Sequence, residues 1–144
     1  MSDEEHYRKL ERMYHGAPCN AYYKPTLSIA KGQTELSIPI LENLYHAAGA
    51  VHGSAYFKAV DDAAHFATQS LVQDVFVVTT HLSVQLTRPI VTGCICARGR
   101  VTFSSRSLFH AEAILTDEQD NEIGRGTASF VRSKVPLSGD IGYA

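Results

Sequence analysis

The sequence predicts an α+β fold in which an antiparallel β-sheet wraps around one long central helix, and three observations carry that prediction. From about His52 to Gln69 the residues Ala55, Tyr56, Ala59, Val60, Ala63, Ala64 and Ala67 cover most of a helix circumference. A helix that apolar is buried on nearly every side. The segments flanking it alternate polar and apolar residues with period two, the signature of strands. The links between the later segments are too short for helical crossovers, so the strands run antiparallel. An antiparallel sheet must cover its apolar face, and this helix is the only large cover the chain offers.

The elements follow in order. Ser2 and Glu5 have capping-box spacing, Tyr7, Leu10, Met13 and Tyr14 recur at helical intervals, and Gly16-Ala17-Pro18 stops the helix, so residues 1–18 form an N-terminal helix and turn. Leu27–Ala30 and Glu35–Ile40 alternate and predict a strand broken or bent near Lys31-Gly32. After the central helix, Val75–Thr87, Cys94–Phe103, Leu108–Thr116 and Ile123–Arg132 read as strands. The turns between them are expected at Arg88–Gly93, Ser104–Ser107 and Asp117–Asn121. Residues 134–144, with Pro136 and Gly139, are expected to form a loosely held tail.

Size and charge narrow the classes. A chain of 144 residues is read as one domain spanning 1–144, large enough to bury roughly 68–70 % of its unfolded surface without disulfides or metals. Thirteen Lys and Arg against fifteen Asp and Glu give a net charge of −2, without the basic excess of a nucleic-acid binder. No apolar run approaches the ~20 residues of a membrane span, and the acidic opening Met1-Ser2-Asp3-Glu4-Glu5 does not read as a signal peptide. Three cysteines, Cys19, Cys94 and Cys96, cannot form a closed disulfide framework. The expected setting is cytoplasmic, with neither nucleic acid nor membrane as partner.

The chemistry concentrates at the central helix. Gly53 opens it, where backbone N–H groups have no intrahelical partner, so a ligand oxygen can approach closely; the same glycine also suits a tight turn into the helix. Asp61 and Asp62 sit mid-helix about 100° apart, so one faces solvent and the other lies in or near a protein-lined site. A carboxylate there either anchors backbone amides or acts as general base or nucleophile. The eight residues from Gly53 to Asp61 span roughly 12 Å, whereas reacting groups must come within ~3 Å. If both act on one substrate, they come from different subunits, which predicts a homodimer or homotetramer.

The run Gly49-Ala50-Val51-His52-Gly53-Ser54 followed by Asp61, nine positions after His52, resembles the motif of PaaI-type hotdog acyl-CoA thioesterases. The resemblance covers residues 25–133 and extends through Thr79-Thr80-His81-Leu82 and Leu86-Thr87-Arg88-Pro89. It implies a hotdog fold and hydrolysis of an acyl-CoA thioester to free acid and CoA. By position, the Gly53 N–H would polarise the thioester carbonyl, His52 would shape that pocket, Asp61 of the opposing subunit would activate water or attack directly, and Thr79 would orient the water. Many relatives carry an amide six residues before the His-Gly pair; here that position is His46, a side chain that can donate a hydrogen bond as an amide does but is also ionisable.

Substrate contacts are expected from Ser54, Tyr56 and Phe57, and from arginines for the CoA phosphates, with Arg106 and Arg132 foremost among Arg98, Arg100, Arg106, Arg132 and Lys134. His65, one turn beyond Asp61, could contact it or simply pack. No metal site is expected, since Cys94-x-Cys96 alone is weak evidence for zinc. No cofactor is expected either, coenzyme A entering as part of the substrate. The alternatives are a hotdog acyl-CoA hydratase or dehydratase, which pairs a catalytic His with a carboxylate in another sequence setting, and a non-catalytic acyl-thioester binding module.

Overall fold

A computed structural model describes all 144 residues. Helix α1 spans Asp3–Gly16 behind the expected capping box: the Glu5 amide donates to Ser2 Oγ at 3.1 Å, and the Ser2 amide donates to Glu5 Oε2 at 2.9 Å. The short α2 is Asn20–Tyr23. Strands β1 (Thr26–Ala30) and β2 (Gln33–Pro39) follow, then helix α3 (Gly53–Gln69) and strands β3 (Val75–Leu86), β4 (Cys94–Ser104), β5 (Leu108–Thr116) and β6 (Glu122–Pro136). One six-stranded antiparallel sheet results, ordered β1-β2-β4-β5-β6-β3. Helix α3 touches all six strands, which is the predicted architecture.

Three expectations are corrected. The first strand is two strands, because Gly32 at φ +66° lets the chain reverse and β1 pairs with β2. The segment after β3 is no hairpin turn: β3 lies against β6, and residues 87–93 cross the sheet end to start β4 beside β2. That crossing is fixed by backbone bonds, since Thr87 and Arg88 donate to the Ile123 carbonyl, Val51 donates to the Ile90 carbonyl, and Ile40 donates to the Gly93 carbonyl. The tail is held. Residues 133–136 extend β6, and Tyr143 is buried against α1, where its hydroxyl lies 2.7 Å from Nδ1 of the buried His6.

Two glycines set how closely α3 lies on the sheet. A Cβ on Gly99 would stand 2.2 Å from the Ala63 carbonyl oxygen, and one on Gly126 would stand 2.7 Å from Val60 Cγ1. The Thr34 hydroxyl, also on the sheet, donates to the Ala63 carbonyl at 2.6 Å.

The two sheet edges differ. The β1 edge is occupied by side chains of α1: Leu27 donates its amide to His15 Nε2, Ile29 donates to Glu11 Oε2, and Arg8 donates to the Ile29 carbonyl. Along the opposite edge, side chains of α3 meet the backbone of β3 only at its start, where the Val77 amide donates to Gln69 Oε1, the Gln69 side-chain amide donates to the Val75 carbonyl and His65 bonds the Val77 carbonyl; none does so from Val78 to Leu86. No helix is long and apolar enough to cross a membrane.

Candidate active site

The two adjacent carboxylates of α3 part company as helical geometry requires. Asp62 turns towards α1, where its Oδ2 accepts from Lys58 Nζ at 2.7 Å and from the Tyr14 hydroxyl at 2.6 Å. Asp61 turns towards β3, where the Thr79 hydroxyl donates to Oδ1 at 2.9 Å. The hydroxyl occupies one carboxylate oxygen and leaves Oδ2 available as a base. Burial pushes the Asp61 carboxyl above its ordinary range, while the Thr79 bond and the Lys58 ammonium pull it back down. A half-buried carboxylate with raised proton affinity is suited to general-base work near neutral pH.

His65 is buried one turn further along α3 and packs among Phe66, Phe76 and Phe130. Its Nε2 lies 2.7 Å from the Val77 carbonyl, an acceptor only, so that nitrogen carries the proton. Burial pushes its pKa below 6.5, so the ring is neutral at neutral pH. Asp61, Thr79 and His65 line a cavity of about 860 Å³ with Phe76 and Val78, closed on the far side by the end of α1 and by Val135 and Ile141. Its size is that of a small-molecule site.

The second cluster lies at the other end of α3. His52 is the N-cap, and its Nδ1 accepts from the Ser54 amide at 3.0 Å, with the Ser54 hydroxyl 2.9 Å away. Gly53 is the first helical residue, and a Cβ there would come within 3.2 Å of Leu86 Cδ2 at the end of β3. No acidic side chain lies in the first turn of α3 to compete for its amides. His46 is exposed in the preceding loop, where its Nδ1 accepts from the Ala48 amide at 3.1 Å.

The structure therefore brings Asp61 and Thr79 together, and separately His52, Gly53 and Ser54, but it does not join the two groups within one chain. Tyr56 is no lining residue: it is 1 % exposed in the core, and its hydroxyl donates to the Arg88 carbonyl at 2.8 Å. Phe57 is 48 % exposed on α3. Arg132 is held by both carboxylate oxygens of Asp74, whereas Arg106 sits exposed on the β4–β5 turn with no ion-pair partner. Neither arginine lines the large cavity.

Nothing in the sequence shows that α1 and the tail wall the Asp61 cavity, because that depends on where α1 packs. The i,i+4 spacing of Lys58 and Asp62 was a usable signal for their pairing; nothing in the sequence marked Tyr14. No group of three or more His, Cys, Asp or Glu is arranged to hold a metal ion.

The thioesterase superfamily profile matches residues 48–123. No curated protein matches the chain significantly by sequence. Among solved structures, the Escherichia coli PaaI protein from the phenylacetic acid degradation operon superposes with a TM-score of 0.85 at 15 % identity, covering 94 % of this chain and 99 % of that one. A phenylacetic acid degradation-related protein of Ralstonia eutropha gives 0.78 at 16 % identity, covering 88 % and 98 %. A thioesterase of Haemophilus influenzae gives 0.75 at 13 % identity, covering 83 % and 85 %. These likenesses establish a shared hotdog fold.

Proposed function

The chain belongs to the thioesterase superfamily, and on that premise we propose that it hydrolyses an acyl-CoA thioester at a site shared between two subunits. The observation that carries this reading is the layout of β3. Its first half holds Thr79 against Asp61, its end holds Leu86 against Gly53, and from Val78 to Leu86 no side chain of another element bonds the backbone of its outer edge. Antiparallel pairing of β3 with its copy about a two-fold axis near Leu82 and Ser83 sets the Asp61 end of one chain beside the Gly53 end of the other. Two equivalent sites follow from that symmetry.

In each site the thioester carbonyl oxygen accepts the Gly53 N–H at the open N-terminus of α3, where the helix dipole favours developing negative charge. His52, locked as N-cap, keeps that terminus in place. Asp61 Oδ2 takes a proton from a water that the Thr79 hydroxyl helps to orient, and the oxygen of that water attacks the carbonyl carbon. The tetrahedral intermediate collapses, the C–S bond breaks, and the Asp61 proton passes to the departing thiolate. Acid and CoA leave. Water is the only co-reactant, so the reaction invokes neither metal nor cofactor. Arg106, free of an internal partner, is available to the CoA phosphates.

The test is complementation between two variants. Asp61→Asn removes the base. Gly53→Pro removes the N–H at the first helical position, where proline is tolerated, and His52 already has the extended ψ of 143° that a following proline requires. Each variant alone should lose thiol release from acyl-CoA. Randomly mixed subunits should recover about a quarter of wild-type activity, because half the dimers are mixed and each carries one intact site. Mixtures as inactive as their parents, with mixed dimers verified by mass, would refute the shared site.

A further inference from the structure

Outside the proposed site, one pair of reactive side chains is placed together without a structural task. Cys94 and Cys96 lie two residues apart on β4, with Sγ atoms 3.2 Å from each other. The residue between them, Ile95, is fully buried, so both thiols project from the opposite face of the sheet, away from α3. Both are half-buried and within reach of a small reagent. Cys19 lies on another element and has no sulfur neighbour, its thiol meeting the Asn20 side chain instead.

We infer that Cys94 and Cys96 form a redox-active dithiol that closes to an intramolecular disulfide by exchange with a small-molecule disulfide. Two residues of extended strand hold their Cα atoms about 6.6 Å apart, near the upper limit of about 6.8 Å for a disulfide. Closure therefore requires the strand end at Cys94 to shift. Cys94 is the first residue of β4, it exchanges no backbone bond with Pro39 opposite, and Gly93 before it sits at φ +89°, tied to β2 by the bond from the Ile40 amide to the Gly93 carbonyl. A disulfide formed against such strain is of the labile, reversible kind.

Burial and the neighbouring thiol push Cys96 up to about 11, so it remains protonated while Cys94 attacks. The Cys94 thiolate attacks one sulfur of the small disulfide, whose S–S bond breaks and releases one thiolate. Cys96 then loses its proton to solvent and attacks the Cys94 sulfur, displacing the second thiolate. Two protein thiols are oxidised and one small disulfide is reduced to two thiols.

The experiment is equilibration of the intact protein with mixtures of reduced and oxidised glutathione, followed by acid quenching, mass spectrometry and peptide mapping. With rising oxidised glutathione, the wild-type peptide carrying residues 94 and 96 should lose the mass of two hydrogens, while any glutathione the protein carries maps to the exposed Cys19. Cys96→Ser, which cannot resolve the mixed disulfide, should accumulate one glutathione on Cys94. Adding excess reduced glutathione should restore all thiols in both proteins. The proposal falls if Cys94 and Cys96 both remain free thiols in the wild type at every ratio. It falls equally if the wild type retains glutathione on Cys94 to the same extent as Cys96→Ser.

Discussion

Gly99→Ala should unfold the protein more easily and disarm Asp61 through one displacement. The added Cβ would meet the Ala63 carbonyl oxygen at 2.2 Å and Thr34 Oγ1 at 2.5 Å, where ordinary contact begins at 3.4 Å. One partner is helix backbone, so α3 must lift by more than an ångström. Overpacking of this kind costs about 1–3 kcal/mol. Loss of the buried bond from Thr34 to the Ala63 carbonyl adds about 1–2 kcal/mol. A total near 2–5 kcal/mol lowers the melting temperature of a chain this size by roughly 5–20 °C. Asp61 lies two residues before Ala63, so the same movement stretches its 2.9 Å bond from Thr79. A misplacement of about 1 Å is worth about a hundredfold in rate. Urea unfolding at fixed protein concentration and thiol release from acyl-CoA read the two effects. Gly139→Ala is the control, with nothing within 4 Å of its new Cβ and an expected change below about 0.5 kcal/mol. A Gly99→Ala protein as stable as wild type would refute the reasoning.

Asp61→Asn should lower the turnover of acyl-CoA by about 10²–10⁴-fold while leaving substrate binding, followed by calorimetry, intact. The same variant should be at least as stable as wild type at neutral pH. Because folding raises this carboxyl's pKa, the charge disfavours the fold above that pKa, so the difference in denaturant midpoint should vanish as the pH is lowered through it. Thr79→Val removes a bond that lowers the Asp61 pKa, so the acidic limb of its rate–pH profile should move to higher pH; an unmoved limb would separate Thr79 from the base. Burial depresses the pKa values of His6 and His65, so wild-type stability, complete above pH 6.5, should fall as the pH drops below it. His65→Phe should flatten part of that decline in urea titrations across pH.

The sequence was most legible where one period governed a whole element. Leu108–Thr116 alternates so regularly that β5 has the predicted ends, and the alanine-rich run predicted α3 to within a residue. Strand neighbours were harder. Nothing local states that β3 pairs with β6, because that choice depends on where Arg88–Gly93 docks, a matter of long-range backbone bonds. At the site, helical spacing alone foretold that Asp61 and Asp62 would diverge, but not which would meet Tyr14. Tyr56 was misread for a related reason: an aromatic residue beside a helix start looks the same in sequence whether it faces a ligand or, as here, the Arg88 carbonyl. The tail looked loose because its anchor, the contact between His6 and Tyr143, spans almost the entire chain.

The side chains that α1 lends to β1 have a further consequence. A sheet with both margins bare adds copies at each end and grows without limit into a ribbon, whereas a sheet with one margin sealed stops when its other margin is satisfied. His15, Glu11 and Arg8 seal β1 with donors and acceptors matched to its backbone. On the proposed pairing of two β3 edges, the first sixteen residues would act as a chain terminator, setting the stoichiometry from a helix that takes no part in joining the copies.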